Sequence, residues 1–346
     1  MRQNDTQETN SSLPEHSADI RVGLELLQAT KPYIEESSAQ SWWYVGSAFG
    51  LMIAALAAAG AVPWWPLRLV FSVLGALLMV RAFITFHDYL HGAILTKSRV
   101  AYWLFHAFGA LMLTPTRAWS ASHNYHHGHV GQISEVSVGA FPLITARMWR
   151  NSTRWQRFTY RAQRNPLVVL LSYPIVFGLN ITLIPLLKNP RKHLDSLTAL
   201  VSHFALIAVV WMLGGFSLVF FVILLPMTLA SAMGCYLFFA QHSFRRMQIA
   251  SPEAWTYYRA AMESSSFMRM NRVMQWFTGN IGFHPIHHLN VRIPFYRLPE
   301  VMAAIPELQS PLTTTLAPRD IADCFRYALW DEDNQRMVSY LEASQQ

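Results

Sequence analysis

Long apolar stretches separated by short polar breaks dominate the pattern along the chain. Charged residues are absent from 37–67 and, apart from Arg68, the next one is Arg81. Because an apolar helix of about twenty residues crosses the hydrocarbon core of a bilayer, this pattern predicts two membrane-spanning helices over 43–62 and 66–86. The Pro- and Trp-rich stretch between them predicts a tight turn.

A second charge-free block covers residues 196–244 and is long enough for two more spanning helices. Gly214 and Gly215 predict the break between these helices, so the four helices form two hairpins. Neither connecting turn contains Lys or Arg, whereas the segments outside the hairpins contain nearly all of them. By the positive-inside rule, both termini and the central loop are expected in the cytosol.

A third apolar run at 165–187 is interrupted by Pro174 and Pro185 and has cations on both sides. Such flanks indicate a segment that lies in the interface or enters and leaves the same membrane face. The stretch 101–114 is too short to span and is interpreted in the same way. The count of spans is therefore four, with five or six as the open alternatives.

Composition agrees with a membrane protein. The chain of 346 residues is 52% hydrophobic and only 14% charged, against roughly 25% charged in a soluble domain. Its net charge of +7 is spread between the apolar runs, which indicates a membrane surface and no nucleic-acid partner. Two cysteines, Cys235 and Cys324, are too few for a thiolate cluster, but there are fourteen histidines.

Nine of the fourteen histidines fall in three clusters and one isolated position. Histidines three or four residues apart project from one face of a helix, so each cluster can act as a local chelate. In the four-span arrangement all of them lie on the cytosolic side. They are His87 and His91; His123, His126 and His127; the lone His242; and His284, His287 and His288.

Two interpretations of these histidines compete. A single pair could simply satisfy backbone groups or coat a basic surface, but three clusters on one side favour metal. Imidazole suits Fe, Cu, Zn and Ni. One zinc needs about four ligands, so nine histidines favour two ions of higher coordination number, with a dinuclear iron centre as the economical choice. The sequence has no His-Glu-x-x-His zinc-protease motif and no Glu-x-x-His motif of carboxylate-bridged di-iron bundles.

These predictions give a fold class and a domain organisation. The fold is an all-α membrane protein with four transmembrane helices in two hairpins and a cytosolic helical cap that holds a di-metal histidine site. Residues 1–40 form a polar cytosolic N-terminal segment, 41–300 the membrane-embedded domain, and 301–346 a cytosolic C-terminal segment.

The histidine motifs resemble those of the integral-membrane fatty acid desaturases, and more narrowly the acyl-lipid type, over roughly residues 40–300. The most specific parts are His87-x-x-x-His91, His123-x-x-His126-His127 and the stretch 278–288. The resemblance implies four spans, a cytosolic cap holding two irons, and insertion of a cis double bond into an acyl chain with O2 and two electrons. All nine histidines match ligand positions of that family.

One position departs from the pattern that the resemblance implies. In animal acyl-CoA enzymes of the family an Asn one turn before the lone histidine holds an iron-bound water, and this chain has Phe238 there. His129 is a possible extra ligand, although a solvent-facing role is the alternative. Asp88 and Asn280 are expected to hydrogen-bond the outer nitrogens of ligating imidazoles, with an ordinary salt bridge as the alternative for Asp88. His203, inside a span, is expected to need a buried partner.

The chain has no flavin or haem motif, so an external electron donor is expected, of the ferredoxin or cytochrome b5 type. A basic cytosolic surface could dock such an acidic carrier, and binding of anionic lipid headgroups is the alternative role. The expected location is a bacterial inner membrane, among lipids that also supply the acyl substrate. The surface residues are Arg147, Arg150, Arg154, Arg157, Arg245 and Arg246.

Two other functions stay open. Similar histidine motifs support hydroxylation or ketolation of a lipid or carotenoid, in which oxygen is transferred to the substrate. A histidine-rich metal transporter is the alternative from another class, but it should place ionisable residues in mid-span, whereas these clusters sit at span ends. For any of the lipid reactions, an apolar tunnel lined by spans two to four is expected to hold the substrate.

Overall fold

The structure is a computed structural model that describes residues 21–133 and 141–345, and helices make up most of it. Within these described residues, seventeen α-helices follow one another. They are α1 Leu24–Thr30, α2 Ser38–Ala61, α3 Trp65–Leu90, α4 Arg99–Leu111, α5 Thr116–Gly128, α6 Ala146–Asn151, α7 Arg154–Gln163, α8 Pro166–Leu170, α9 Ile184–Lys188, α10 Leu194–Val219, α11 Leu225–Gln241, α12 Tyr257–Glu263, α13 Arg272–Phe277, α14 His284–Leu289, α15 Leu298–Ala304, α16 Pro318–Arg326 and α17 Tyr340–Gln345.

In the part of the chain that the structure describes, three helical stretches are long and apolar enough to cross a membrane: Ser38–Ala61, Trp65–Leu90 and Leu194–Gln241. The first two agree with the predicted spans 43–62 and 66–86. The third has 48 residues, which as a straight helix would measure about 72 Å, more than twice the roughly 30 Å of a hydrocarbon core. A count of four spans therefore depends on a break within it.

The backbone of this long stretch leaves helical geometry at the two glycines expected to form a turn. Gly214 has φ −160° and Gly215 has φ 64°, a left-handed value that glycine adopts without a steric penalty. Just beyond the break, Ser217 accepts a hydrogen bond from Arg68, which also donates to the carbonyl of Ala59. The break thus lies beside the turn between α2 and α3.

Helix α3 carries a cation in its interior. Arg81 is almost fully buried, and its guanidinium donates to the carbonyl of Trp276 and lies 4.1 Å from the centre of that ring. Aromatic faces attract cations. Arg81 therefore fastens the spanning helix α3 to the short helix α13.

The third apolar run is neither a regular span nor a loop. It consists of α8, a π-helix at Tyr173–Leu183 and α9. Tyr173 donates to His203 of α10 over 2.5 Å, and His203 also donates to the carbonyl of Leu111 over 2.7 Å. The buried partner expected for His203 is therefore present, and Thr182 adds a further bond to the carbonyl of Leu113.

Two small sheets correct the expectation of an all-α fold. β2 (Phe267–Arg269) pairs in parallel with β3 (Thr313–Thr315), while β4 (Tyr327–Asp331) lies between parallel β1 (Ile144–Thr145) and antiparallel β5 (Arg336–Ser339). Strands of two to five residues are too short to give the alternating pattern by which strands are recognised in a sequence. The fold is mostly helical, and the strands lie outside the three long apolar stretches.

The three predicted segments of the chain share contacts. Near the N-terminus, Glu36 accepts a hydrogen bond from the backbone of Leu95, and Thr30 accepts one from Asn290. Near the C-terminus, Tyr160 donates to the carbonyl of Ala328 over 2.5 Å. The boundaries 1–40, 41–300 and 301–346 stay predictions, but the ends of the chain help to hold the histidine-bearing part together.

Candidate metal centre

Four elements bring the histidine motifs to one place. His87 is in the last turn of α3, with His91 just after it; α5 carries the second cluster; α14 carries the third; and His242 caps the C-terminus of α11. Pro285 stands at the start of α14, where its fixed φ and missing N–H suit the first helical turn. The short helix then holds His284 and His288 one turn apart.

The nine histidines form two groups, each with its ligand nitrogens within 4.8 Å of one another. The first group has five members. The Nε2 atoms of His87 and His123 are 3.0 Å apart, and that of His127 lies 3.1 Å from His123. The members are His87, His91, His123, His127 and His287.

The second group has four members around His242. Its Nε2 lies 2.8 Å from that of His284, 3.1 Å from that of His288 and 3.1 Å from that of His126. The two groups touch, because the ring of His127 stacks on that of His288 at 4.1 Å. The arrangement has two adjacent centres, five imidazoles around one and four around the other.

The hydrogen bonds at the outer nitrogens show which way the lone pairs point. His242 Nδ1 is 3.0 Å from the carbonyl oxygen of Ser264, which can only accept, so Nδ1 carries the hydrogen. A neutral imidazole has one N–H. The Nε2 atom of His242 therefore carries no hydrogen and directs its lone pair at three other Nε2 atoms. A single hydrogen on one of those atoms could not bridge all four nitrogens. A cation at the centre would satisfy all of them.

Burial keeps these imidazoles neutral, as metal ligands must be. It lowers the pKa of His242 to about 4, opposed by the hydrogen bond to Ser264. For His126 and His284, burial and then the charge of neighbouring imidazoles lower the pKa well below 6.5. The residues present thus fit a pair of metal ions by donor type, number and protonation state.

Asp88 lies behind the first group. One carboxylate oxygen is 3.2 Å from His87 Nδ1, and the other accepts the backbone N–H of Phe295 over 2.6 Å. This is the contact expected of it. Asn280, in contrast, donates its amide N–H to the carbonyl of Phe295 and so holds the segment that Asp88 binds. The bond expected of Asn280, in which its amide oxygen accepts from a ligating imidazole, stays a prediction.

His129 and Phe238 differ in their relation to the site. His129 is exposed, stacks on Tyr125 at 3.8 Å and donates to the carbonyl of that residue, so it lies outside both groups. The ring of Phe238 lies 4.6 Å from that of His126 and 5.8 Å from that of His242. An apolar side chain thus occupies the position at which the resemblance implies an amide.

A cavity of about 940 Å³ opens beside the two centres, within the size range of ligand pockets. His87, His123 and His284 form part of its wall, and Trp119, stacked on His123 at 4.3 Å, forms another part. The remaining wall is largely apolar and comes mainly from α3, α11 and the π-helix, with smaller contributions from α5, α7, α8 and α9.

The expected tunnel wall is therefore correct for spans two and four. For span three it is wrong, since residues 194–213 contribute nothing to the described lining, and the irregular run 173–185 takes that place. Sequence reasoning missed this run because its prolines suggested only an interfacial segment. It also missed Ser264, whose contribution is a backbone carbonyl without a side-chain signal.

The basic surface is partly engaged in structural contacts. Arg147 forms an ion pair with Glu332 at 2.8 Å, Arg157 donates to the carbonyls of Trp149 and Arg150, and Arg245 lies over the ring of Tyr327. Arg154 and Arg246 are exposed. Docking of an electron carrier at this surface stays a prediction.

The fold and the site define a helical, membrane-type protein with a histidine cluster suited to metal beside an apolar cavity. The sequence model of fatty acid desaturases matches residues 63–315. A fatty acid desaturase of Bacillus subtilis (strain 168) is 31% identical over 276 residues, which cover 79% of this chain and 78% of that protein. A probable fatty acid desaturase of Sorghum bicolor is 25% identical over 285 residues, 77% of this chain and 70% of that protein.

The chain belongs to the fatty acid desaturase family. Membership implies an oxidoreductase that acts on a lipid or acyl substrate. The predicted family is confirmed; the reaction, the metal and the residues that bind it are matters for proposal.

Proposed function

We propose that this protein is an integral-membrane acyl-lipid desaturase that inserts a cis double bond into an acyl chain with O2 and two electrons. The observation that supports this most directly is the position of the two histidine groups in the wall of an apolar cavity. A metal transporter binds and moves ions, and an apolar cavity beside the binding groups does not serve that function. The proposal includes a bacterial inner membrane as the location, with both termini in the cytosol.

Nine histidines are proposed to hold two iron ions, five around one and four around the other. An unactivated methylene has no acidic proton, and the irons would supply the oxidising power that side chains lack. Asp88 fixes the ring orientation of His87, and the Ser264 carbonyl does the same for His242. Such bonds to the outer nitrogen of a ligand set its tautomer.

The cavity wall selects and positions the methylene that reacts. Trp119 and Phe238 contact ligand rings and also line the cavity, so they bring apolar surface up to the two centres. Met79, Val80 and Phe83 continue the wall along α3. Apolar walls exclude water and leave an extended chain in van der Waals contact on all sides, which fixes its register.

The electrons come from a separate protein in this proposal. A ferredoxin or a cytochrome b5-type carrier is acidic, and the exposed cations Arg154 and Arg246 suit such a partner. The same side chains also suit anionic headgroups. Replacing both arginines distinguishes docking from anchoring. If the double variant still inserts into the membrane but loses activity with a soluble carrier, the arginines dock the carrier.

Lipid analysis of a host that expresses the chain tests the proposal. We expect unsaturated acyl chains with the wild type and none with His126→Ala, since His126 belongs to the group around His242. His129→Ala is the matched control, because His129 lies on the same helix end but outside both groups, and it should retain product.

Mass spectrometry of the same lipids also separates the rival reactions. A desaturase product is lighter than its substrate by two hydrogens, whereas a hydroxylase product is heavier by one oxygen. Hydroxylated or oxo products as the main species would replace the proposal with the hydroxylase or ketolase alternative. Unchanged product from His126→Ala in correctly inserted protein would contradict the ligand role of His126.

A further inference from the structure

The cavity beside the histidine groups has a polar rim. Four of its lining residues are both exposed and polar, and we call Tyr125, Gln163, Asn180 and Lys188 the rim. The lining residues of α3 and α11 nearest the membrane interior, in contrast, are mainly apolar. The cavity therefore combines an apolar wall suited to hydrocarbon with exposed polar residues, Lys188 among them, suited to a polar group.

The rim carries positive charge. Lys188 makes no ion pair within the described part of the chain, and Arg191 and Lys192 follow it, both exposed. One acid follows, Asp195, whose Oδ2 accepts the backbone N–H of Arg117 over 2.9 Å and whose Oδ1 is buried without a partner among the described residues. Three cations thus stand against one carboxylate, and this excess of positive charge attracts an anion.

A second polar group at this end also lacks a partner. His193 lines the same cavity, and its Nδ1 is buried without a hydrogen-bond partner in the described structure. Buried polar atoms are nearly always hydrogen-bonded, so this nitrogen in the cavity wall is available to a polar group of a ligand. Lys188 and His193 flank the short link between α9 and α10.

The surface around the rim is suited to a bilayer. Leu187, next to Lys188 on α9, is 70% exposed, Leu194, next to His193, is 59% exposed, and Leu170 of α8 is 50% exposed. Exposed leucines next to cations are typical of a surface that lies at the headgroup level of a membrane. A substrate that enters here comes from the lipid phase.

We infer that Lys188 of the rim and the neighbouring His193 bind the phosphate of a phospholipid, while one acyl chain of that lipid extends to the histidine groups. This inference rests on the proposed desaturase activity and adds the carrier of the acyl chain. An ammonium and an imidazole N–H both donate to phosphate oxygens. Lipids without phosphate lose these bonds.

Competition between two lipids tests the inference. Full-length, iron-loaded protein is reconstituted in vesicles that contain phosphatidylglycerol and monogalactosyldiacylglycerol with the same saturated acyl chains, with reductant and O2. We expect a preference for phosphatidylglycerol that Lys188→Met reduces about three- to tenfold, the range of one hydrogen bond made by a solvent-exposed side chain. Lys97→Met is the control, because Lys97 is exposed and outside the cavity lining.

A binding measurement makes the result independent of catalysis. Phosphatidylglycerol with a photoreactive headgroup is irradiated with metal-free protein in the same vesicles, and the labelled peptide is identified. Labelling of residues 185–193 in the wild type and in Lys97→Met, reduced in Lys188→Met, supports the site. Labelling that is equal in all three proteins overturns it.

The outcomes separate failure of the site from failure of the proposed function. Product that shows no preference between the two lipids, or a preference that Lys188→Met leaves unchanged, overturns the phosphate site while the desaturase proposal stands. Product from a soluble acyl-CoA but not from phosphatidylglycerol overturns it too, since the phosphate then belongs to another carrier. No product from any substrate, with labelling at 185–193 retained, overturns the desaturase proposal and not the site.

Discussion

At the scale of single residues, the site depends on groups that act through a neighbour. Asp88 joins His87 to the backbone N–H of Phe295, and Asn280 donates to the backbone carbonyl of the same residue. Asn280 has φ 56°, a left-handed value that asparagine tolerates better than most residues. The two polar residues thus secure one short segment against the C-terminus of α3.

Asp88→Asn removes the carboxylate that accepts from both His87 and Phe295. We expect iron affinity to fall about 10- to 100-fold, the usual effect of losing such a partner. Titration of metal-free protein with Fe²⁺ under anaerobic conditions measures it. Asp333→Asn, at an exposed turn, is the control, and equal affinities in the two variants would show that Asp88 does not act on the metal.

Asn280→Gly and Asn280→Ala test the role assigned to Asn280. Both remove the bond to Phe295, but only glycine adopts φ 56° freely, so the alanine variant should be less stable by about 1 kcal/mol. Thermal unfolding in detergent measures the difference. Equal unfolding temperatures would mean that the left-handed backbone is not maintained in solution.

At the scale of elements, the apolar helices could be predicted closely and the irregular parts could not. The spans 43–62 and 66–86 correspond to Ser38–Ala61 and Trp65–Leu90, because charge-free length is a strong signal. Strands of two to five residues and the π-helix at Tyr173–Leu183 have no such signal. Their positions depend on tertiary contacts, such as the bond from Thr182 to Leu113.

Gly215→Ala tests the break in the long apolar stretch. The residue has φ 64° and open space around it, so strain in the backbone, not a clash, is the expected cost, about 1 kcal/mol. Unfolding in detergent measures the change. Gly46→Ala is the control: Gly46 lies within helix α2 with open space around it, and alanine there should leave stability unchanged or raise it. A neutral Gly215→Ala would argue against a turn at this position.

At the scale of the whole molecule, the convergence of the histidines constrains the topology. The chain leaves the cluster after His127 and returns to it at His242, so it crosses the membrane an even number of times in between. A full crossing by 165–187 would make that number odd. The same holds between His91 and His123, where a crossing by 101–114 would separate the two motifs. Both points favour four spans.

Reporter fusions test this topology. A fluorescent protein at the C-terminus should fold in the cytosol and fluoresce, whereas alkaline phosphatase inserted at residues 62–66 or at 214–215 should be active outside. Activity of a phosphatase inserted at 189–192, between α9 and α10, would place that link outside and contradict the four-span arrangement.

The spacing within the histidine motifs allowed eight of the nine converging residues to be predicted, because i, i+3 and i, i+4 spacing is a local property of helices. The lone His242 was predicted from its place at the end of a span and from the family resemblance. The division into five and four was beyond sequence reasoning, since His126 and His127 are adjacent in the chain yet belong to different groups. Only the packing of α5, α11 and α14 decides this division. The contact of the Ser264 carbonyl with His242 likewise depends on tertiary packing.

Metal content tests the central claim most directly. Full-length protein purified from iron-supplied cells should contain close to two iron ions per chain, and His126→Ala should lose iron while His129→Ala keeps it. Activity on acyl lipids should follow the iron content. Zinc in place of iron with full activity, or desaturation by metal-free protein, would contradict the account.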